Sequence, residues 1–169
     1  PMQHNYSAYV SNDHRKDNYM SRNVTVSCID VPWFGLLHIA NVHLSWAHHG
    51  FFEEYPRLKH LIESRRHFGV RADLIVGDFN APAGEHAYNH IVGSAEYVDQ
   101  FYECHPHRFY QPSYRGRIDG WECGPPKRID HIFMRNGQPL RIRSITSAMS
   151  PGSTCIEPSR IREMNYCLA

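Results

Sequence analysis

A short apolar run that ends in alternating polar side chains constrains the fold of this chain more than any other feature. Residues 72–76 are mostly apolar, and Gly77-Asp78-Phe79-Asn80 follows them directly. A run of this length fits a buried strand, and side chains two apart on an extended segment share a face. We therefore predict that Asp78 and Asn80 point together from the carboxyl end of a buried strand, while Phe79 turns back into the core.

Two further apolar segments carry polar residues in a similar way. Asn41-Val42-His43 lies near the end of the apolar run 36–44, and Asp130 interrupts the strand predicted for residues 128–134. Ligands of open α/β sheets bind outside the carboxyl ends of strands, and a buried carboxylate is costly without a partner. Together these residue types indicate a site for a hard cation or a phosphate.

Each feature also has an ordinary explanation. Residues 78–80 can form a turn closed by an Asx hydrogen bond. Asp130 can pair with Arg128 or Lys127, and His43 can be a core histidine whose two nitrogens are both bonded. The coincidence of all three features is what favours a functional site.

The remaining pattern predicts strands and helices. Alternation in residues 23–30 predicts a strand that a turn joins to the apolar strand 36–44. Apolar residues at threes and fours predict an amphipathic helix after residue 51, with Glu53 and Glu54 on its polar face. Further predicted elements are a helix at 82–92, a short helix at 97–104, a hairpin at 136–148 and a final strand at 166–169.

Composition restricts the class of protein. The 169 residues fit one domain, which we place at residues 22–169 after a poorly defined segment at 1–21. No stretch approaches the roughly 18 consecutive apolar residues of a membrane span, and a net charge of +1 does not indicate nucleic-acid binding. The five cysteines form no C-x-x-C pair. We therefore expect reduced thiols and, in the absence of a signal sequence, a cytoplasmic location.

In order and spacing, three motifs resemble the endonuclease/exonuclease/phosphatase superfamily over roughly residues 22–169. The motifs are Asn41-Val42-His43-Leu44, Gly77-Asp78-Phe79-Asn80-Ala81-Pro82 and Arg128-Ile129-Asp130-His131-Ile132-Phe133. The resemblance implies an α/β fold, namely the C-terminal half of a four-layer α/β sandwich with a mixed, largely antiparallel sheet. It also implies Mg²⁺- or Mn²⁺-dependent hydrolysis of a phosphoester by an activated water. The substrate would be a nucleic acid, a phospholipid head group or a sugar phosphate.

The resemblance implies a role for each catalytic residue. Asp78 positions or deprotonates the attacking water and binds the metal ion. Asn80 donates to the phosphoryl oxygens and also binds the metal. His43 contacts the phosphate, and Asp130 orients a catalytic histidine. Fixed donors and a cation are the groups that best stabilise charge developing on a phosphoryl group.

Three more residues are predicted to act at the site, and one of them departs from the family pattern. Asn41 and Arg128 are predicted to bind substrate. The family closes with Ser-Asp-His, where this chain has Glu163-Met164-Asn165. Either Glu163 replaces the aspartate and Met164 the histidine, or Met164 and Asn165 replace them. We favour the first alignment because Glu163 keeps the charge, and we predict Glu163 as a metal ligand.

Neither alignment retains an imidazole, and methionine neither transfers protons nor binds Mg²⁺. The family's metal-binding glutamate, which lies in its first half, also has no convincing counterpart before residue 23. Two hypotheses follow: an impaired hydrolase, or a non-catalytic module that binds phosphate or protein. A half sandwich would expose one face of its sheet, so we also expect self-association. The loop at 105–127 either contacts substrate or is an ordinary surface loop.

Overall fold

A six-stranded mixed sheet organises the chain in the computed structural model, which describes residues 2–12, 21–118, 121–140 and 142. The order of its strands is β1-β2-β3-β4-β8-β5. They are β1 (Met2–Tyr9), β2 (Asn23–Val31), β3 (Gly35–His43), β4 (Val70–Asp78), β5 (Tyr97–Asp99) and β8 (Asp130–Arg135). A separate small ribbon pairs β6 (Arg117–Ile118) with β7 (Trp121–Glu122).

Three α-helices accompany the sheet: α1 (Phe52–Ser64), α2 (His86–Gly93) and α3 (Gln100–Cys104). A π-helical turn (Ala47–Phe51) precedes α1, and a 3₁₀ turn (Pro106–Arg108) follows α3. Helix α1 connects β3 to the parallel strand β4, while the other four strand pairs of the sheet are antiparallel. The predicted α/β fold with a mixed, largely antiparallel sheet is confirmed. Among the described helices, none is long and apolar enough to cross a membrane.

Three predicted elements differ from the structure. Residues 2–9 of the segment thought to be poorly defined form β1, whose mostly exposed side chains hide its period. Residues 97–99 are a strand, and the helix begins only after Asp99, whose carboxylate accepts hydrogen bonds from two backbone N–H groups of α3. The second helix begins at His86, four residues later than predicted. The final strand at 166–169 and most of the hairpin at 136–148 lie outside the described residues.

The main core lies between one face of the sheet and helices α1 and α2. Alternate residues of β2 and β3 enter it, as the period of two predicts. Phe133 of β8 is fully buried, with its ring centroid 5.0 Å from that of Phe79. Other buried members of this core are Val24, Val26, Ala40, Val42, Tyr55, Leu58, Ile62, Ile75, Tyr88 and Ile91.

The opposite face of the sheet carries a smaller apolar cluster to which no described helix contributes. Phe34, Ala72, Leu74, Met134 and Leu140 are its buried members. Val31, Leu37, Val76, Ile132 and Ile142 are only partly buried against them. Within the described residues the architecture is therefore one sheet with a helical layer on one face. We call the other face of the sheet the open face.

We predict that Phe133→Ala lowers the free energy of unfolding by about 3–5 kcal/mol, because it removes a fully buried ring from the main core. Urea unfolding followed by circular dichroism measures this change. Phe68→Ala is the matched control, since that ring is fully exposed, and we expect its effect to stay within about 0.5 kcal/mol. Equal effects of the two substitutions would contradict the assignment of the core.

Candidate functional site

Three predicted site residues meet where β3, β4 and β8 come together. His43 ends β3 and Asp78 ends the parallel strand β4, and the two are register partners. Their side chains approach to 3.6 Å between Nε2 and Oδ2. Asp130 begins β8 and is the antiparallel partner of Asp78. Partners in a ladder share a face, so the imidazole and both carboxylates lie on the same face of the sheet.

The carboxylate of Asp78 is the most constrained group of this site. Its Oδ1 accepts a hydrogen bond of 2.8 Å from the backbone N–H of Asn80. This bond forms the Asx turn that was the alternative explanation for residues 78–80. Burial raises the pKa of Asp78, and the negative charge of Asp130 raises it further. The Asn80 hydrogen bond and the charges of His43 and Arg22 act in the opposite direction without cancelling the rise. Asp78 therefore binds a proton more readily than an ordinary aspartate.

Asn80 reaches the site through a turn rather than an extended strand. Strand β4 ends at Asp78, and Asn80 has a φ of 47°, in the left-handed region. The prediction of an extended segment through residue 80 is therefore wrong, although Phe79 is buried in the core as expected. The Asn80 side-chain amide donates 2.8 Å to the backbone oxygen of Leu44. Asn80 is buried, with 5% of its surface exposed, and an amide group has a second N–H that this bond does not use.

A close approach of two backbones fixes the spacing of β3 and β4 beside the site. Gly77 has a φ of 126°, and a Cβ atom built there would lie 2.1 Å from the Val42 carbonyl oxygen. Only glycine fits this position without displacing the backbone. The same Cβ atom would lie 3.0 Å from the side-chain oxygen of Asn41. Asn41 is exposed and lies two residues before His43, so it shares the face of His43.

Arg128 does not join the other predicted site residues. Its side chain is almost completely buried, and it donates 2.7 Å to Asp99 Oδ2 and 2.8 Å to the Phe109 carbonyl oxygen. Its third contact is 3.0 Å, to Nδ1 of His131. These contacts hold the guanidinium inside the protein and favour a structural role over the predicted contact with substrate.

Arg128 shifts the pKa values of the two groups it contacts, Asp99 and His131. Burial alone would raise the pKa of Asp99, but the hydrogen bond and charge of Arg128 hold it below its usual range. Burial, together with the charge of Arg128, lowers the pKa of His131 to about 4. His131 is therefore neutral at neutral pH, and its Nε2 lies 2.7 Å from the Ala81 carbonyl oxygen. Lys127, the other candidate partner of Asp130, pairs with Glu85 instead.

A chain of polar groups behind His43 was not predicted from the sequence. Arg22 lies 3.2 Å from His43 Nε2 through one terminal nitrogen and 3.4 Å from Ser45 Oγ through Nε. Ser45 donates to Glu54 at 2.8 Å through both its hydroxyl and its backbone N–H. Glu54 was predicted on the polar face of α1 but is buried, because Ser45 satisfies both of its carboxylate oxygens. Nothing in the helical period of α1 distinguishes Glu54 from its exposed neighbour Glu53.

The donors at the site fit a hard cation only in part. Asp78 and Asp130 supply carboxylate oxygens and Asn80 an amide oxygen, which are ligand types that Mg²⁺ accepts. A cation would also relieve the repulsion that raises the pKa of Asp78. However, the described residues contain no group of three or more His, Cys, Asp or Glu side chains able to hold a metal ion. The predicted ligand Glu163 lies outside the described residues.

Comparisons with known proteins identify the fold. No protein-family model and no curated protein matches the sequence. Among solved structures, an endonuclease/exonuclease/phosphatase family protein from Leptotrichia buccalis superposes with a TM-score of 0.61 at 18% identity over 85% of this chain. The chain has the endonuclease/exonuclease/phosphatase fold. A family member from Bacteroides thetaiotaomicron gives a TM-score of 0.60 at 14% identity, also over 85% of this chain.

A third match shows the same fold in a named enzyme. The mannosyl-6-phosphatase Bt3783 of Bacteroides thetaiotaomicron gives a TM-score of 0.59 at 14% identity over 85% of this chain. This chain covers 53% of each of the first two structures and 55% of the phosphatase. It therefore spans about half the length of the endonuclease/exonuclease/phosphatase structures it matches.

We predict that Arg128→Ala lowers the free energy of unfolding by about 3–5 kcal/mol, because it leaves the Asp99 carboxylate buried without its cation. Lys127→Ala is the matched control. It breaks a more exposed ion pair with Glu85 that contributes at most about 1 kcal/mol. Urea unfolding measures both variants. If Arg128→Ala unfolds at the same urea concentration as Lys127→Ala, the structural role of Arg128 is refuted.

Proposed function

We propose that this chain carries part of the active site of a metal-dependent phosphoester hydrolase. The observation that supports the proposal is the convergence of His43, Asp78 and Asp130 on one face of a sheet that has the endonuclease/exonuclease/phosphatase fold. An imidazole beside two carboxylates provides a proton donor and proton acceptors within one small area. That combination suits the attack of water on phosphorus better than simple binding of an anion, which two carboxylates would oppose.

Each residue contributes a distinct step. Asp78 accepts the proton of the attacking water, a task to which its raised pKa adapts it. Asn80 is fixed by its bond to Leu44 and donates its second N–H to a phosphoryl oxygen. His43 donates to the phosphate, and Arg22 beside it adds positive charge. Asn41 contacts the substrate from the same face, and Asp130 holds a further catalytic group in place.

A divalent cation completes the proposed chemistry. Asp78, Asn80 and Glu163 are the residues we propose to hold Mg²⁺ or Mn²⁺, and the position of Asp130 suits it as an additional ligand. When bound, the ion neutralises charge on the phosphoryl oxygens. Without a third acidic ligand from outside the described residues, the affinity for Mg²⁺ will be weak, because Mg²⁺ demands near-ideal octahedral geometry.

We propose a phosphoester substrate, for which there are three candidate classes. The structural match to a mannosyl-6-phosphatase makes a sugar phosphate the first candidate. A nucleic acid is the second, because Trp121 and Tyr110 of the loop at 105–127 are exposed and able to stack on bases. A phospholipid head group is the third.

The open face of the sheet is proposed as a contact surface. Its apolar residues Leu37, Val76 and Ile132 are only partly buried, and the chain spans about half of the structures it matches. Burial of such a face against another layer removes apolar surface from water. Self-association of two copies, or contact with a further polypeptide segment, would provide that layer.

One observation favours a second candidate function, a module that binds phosphate or protein without catalysis. The described residues contain no group of three metal-ligating side chains, and neither alignment of the closing motif supplies an imidazole. Loss of one member of a cooperating catalytic set costs several orders of magnitude in rate. His43, Asn80 and Arg22 could still bind a phosphate in such a module.

We predict Mg²⁺- or Mn²⁺-dependent hydrolysis of bis-p-nitrophenyl phosphate and p-nitrophenyl phosphate. Asp78→Ala should lower kcat by at least about 10²-fold, because it removes the proton acceptor. Glu163→Gln should raise the metal concentration needed for half-maximal rate. Asp30→Asn, in β2 and at the other end of the sheet, is the matched control and should retain the wild-type rate.

The assay also decides between the two candidate functions. Turnover that persists in Asp78→Ala contradicts the proposed role of this residue. Absence of metal-dependent turnover, combined with calorimetric binding of inorganic phosphate that His43→Ala abolishes, would support the non-catalytic module instead.

The pH dependence tests the electrostatics of the site. Asp78 must be deprotonated to accept a proton, so activity falls as pH decreases through its pKa. Because the negative charge of Asp130 is, after burial, one of the two causes that raise that pKa, we expect the position of the acid limb of the kcat/KM profile to depend on Asp130. Asp130→Asn removes one of the two causes and should move the limb to lower pH. A limb that stays in place would show that Asp130 does not act on Asp78.

A further inference from the structure

We infer that the end of the sheet opposite the candidate site binds to the surface of an anionic lipid bilayer. Three large apolar side chains, those of Met2, Trp33 and Phe68, are exposed in this region; Trp33 is 95% exposed and Phe68 fully so. They lie on three separate segments of the chain. We call their surface, together with Arg65, Arg66 and Arg71, the turn pole.

The sheet register brings these three segments together. Trp33 occupies the turn between β2 and β3, and Phe68 lies just before β4. The strands that follow them are neighbours, because Leu36, the second residue of β3, pairs with Val70, the first residue of β4. Met2 pairs with Ile29 at the same end of β2. The exposed aromatic side chains therefore protrude from adjacent turns rather than from unrelated parts of the surface.

The side chains of Trp33 and Phe68 are exposed because each residue lies within a tight turn that a backbone hydrogen bond closes. Trp33 has a φ of 69°, and Phe34 after it donates its N–H to the Val31 carbonyl oxygen while its ring is buried. A positive φ is uncommon for a bulky residue. In the second turn, Val70 donates its N–H to the His67 carbonyl oxygen, and Phe68 lies inside this turn. The Trp33 side chain buries almost no surface against the described residues, so little apolar burial offsets the cost of this backbone conformation.

Three arginines, Arg65, Arg66 and Arg71, lie within three residues of Phe68 in the chain. Arg71 lies between the two turns, with its guanidinium carbon 5.5 Å from the centroid of the Phe34 ring. Arg65 lies over the ring of Tyr6 at 5.4 Å. Arg66 is held by Asp73, with 3.0 Å between Nε and Oδ2. The carboxylates near these arginines are Asp73, which is buried, Asp30, which is half-buried, and Glu63, which is exposed and paired with Arg135. The accessible charge of the turn pole is therefore positive.

The combination of protruding apolar side chains with nearby arginines suits the chemistry of an anionic bilayer interface. Indole and phenyl groups enter the boundary between head groups and acyl chains, and each nearby Arg gains from the negative potential of anionic lipids. Single-stranded nucleic acid uses the same residue types, but it binds along a groove on which bases stack. The turn pole is instead formed by the tips of two turns, and this convex shape favours the lipid surface.

The geometry separates the proposed bilayer contact from the candidate site. Strand β3 runs from Gly35 at the turn pole to His43 at the site, a length of about 26 Å at 3.3 Å per residue. A bilayer that contacts Trp33 therefore leaves His43 and Asp78 facing away from it. Bilayer binding itself does not depend on the proposed hydrolase activity, but it disfavours head groups of the same bilayer as substrate.

Vesicle cosedimentation of the 169-residue chain tests the inference. We expect binding to vesicles of phosphatidylcholine and phosphatidylserine in equal parts, and much weaker binding to pure phosphatidylcholine. The double variant Trp33→Ala/Phe68→Ala should lose about tenfold in partition coefficient. Arg65→Gln/Arg71→Gln should remove most of the preference for phosphatidylserine. The matched control is Tyr110→Ala/Trp121→Ala, which removes two exposed aromatics outside the turn pole and should bind as the wild type does.

A second readout follows the indole directly. On addition of the mixed vesicles, tryptophan emission should shift to the blue in the wild type and in Trp121→Phe, and the shift should disappear in Trp33→Phe. Circular dichroism confirms that each variant is folded. The inference is overturned if the wild type does not bind the mixed vesicles or if the Trp33/Phe68 double variant binds them equally well. It is also overturned if that variant instead loses binding to a single-stranded oligonucleotide or the ability to form dimers.

Discussion

The parallel pairing of β3 with β4 is the constraint on which the candidate site depends. Its register places His43 beside Asp78, and the backbone contact at Gly77 keeps the two strands close where they end. Two hydrogen bonds lock the continuation of both strands, from Leu44 N–H to the Asp78 carbonyl oxygen and from the Asn80 amide to the Leu44 carbonyl oxygen. Because β4 also pairs with β8, the same strand positions Asp130. A shift of one residue in either ladder would move a site residue to the other face.

The two carboxylates at this end of the strands, Asp78 and Asp130, destabilise the folded protein. Asp78 and Asp130 lie directly opposite each other, and like charges in that position destabilise a sheet. The charges of Arg22 and His43 oppose this repulsion, but burial and the charge of Asp130 together still leave the pKa of Asp78 raised. Elsewhere in the described residues the buried carboxylates have close partners, as Asp99 has in Arg128 and Glu54 has in Ser45. A local conflict between like charges is characteristic of a functional site.

The sequence predicted the strand ends well because their signal is local. Apolar runs closed by polar residues identified β3 and β4, and the period of two placed Asn41 and His43 on one face. The predictions from sequence were wrong where a side chain bonds to a partner that the local pattern does not reveal. Arg128 and Asp130 have the spacing of a common face, yet Arg128 precedes β8 and turns inward to Asp99, 29 residues away. Glu54 was assigned to the solvent for the same reason, since only the folded loop before α1 brings Ser45 to it.

The two ends of the central strands differ in chemistry although the chain as a whole is nearly neutral. At the carboxyl ends of β3 and β4, two carboxylates accompany an imidazole and one nearby arginine. At their amino ends, three arginines accompany exposed apolar side chains. A net charge of +1 conceals this polarity, because net charge sums over both ends. Because the two ends lie on the same strands, an interaction that fixes the orientation of the turn pole also fixes the direction in which the candidate site faces. Attachment through the turn pole would leave His43 and Asp78 facing water, away from the bilayer.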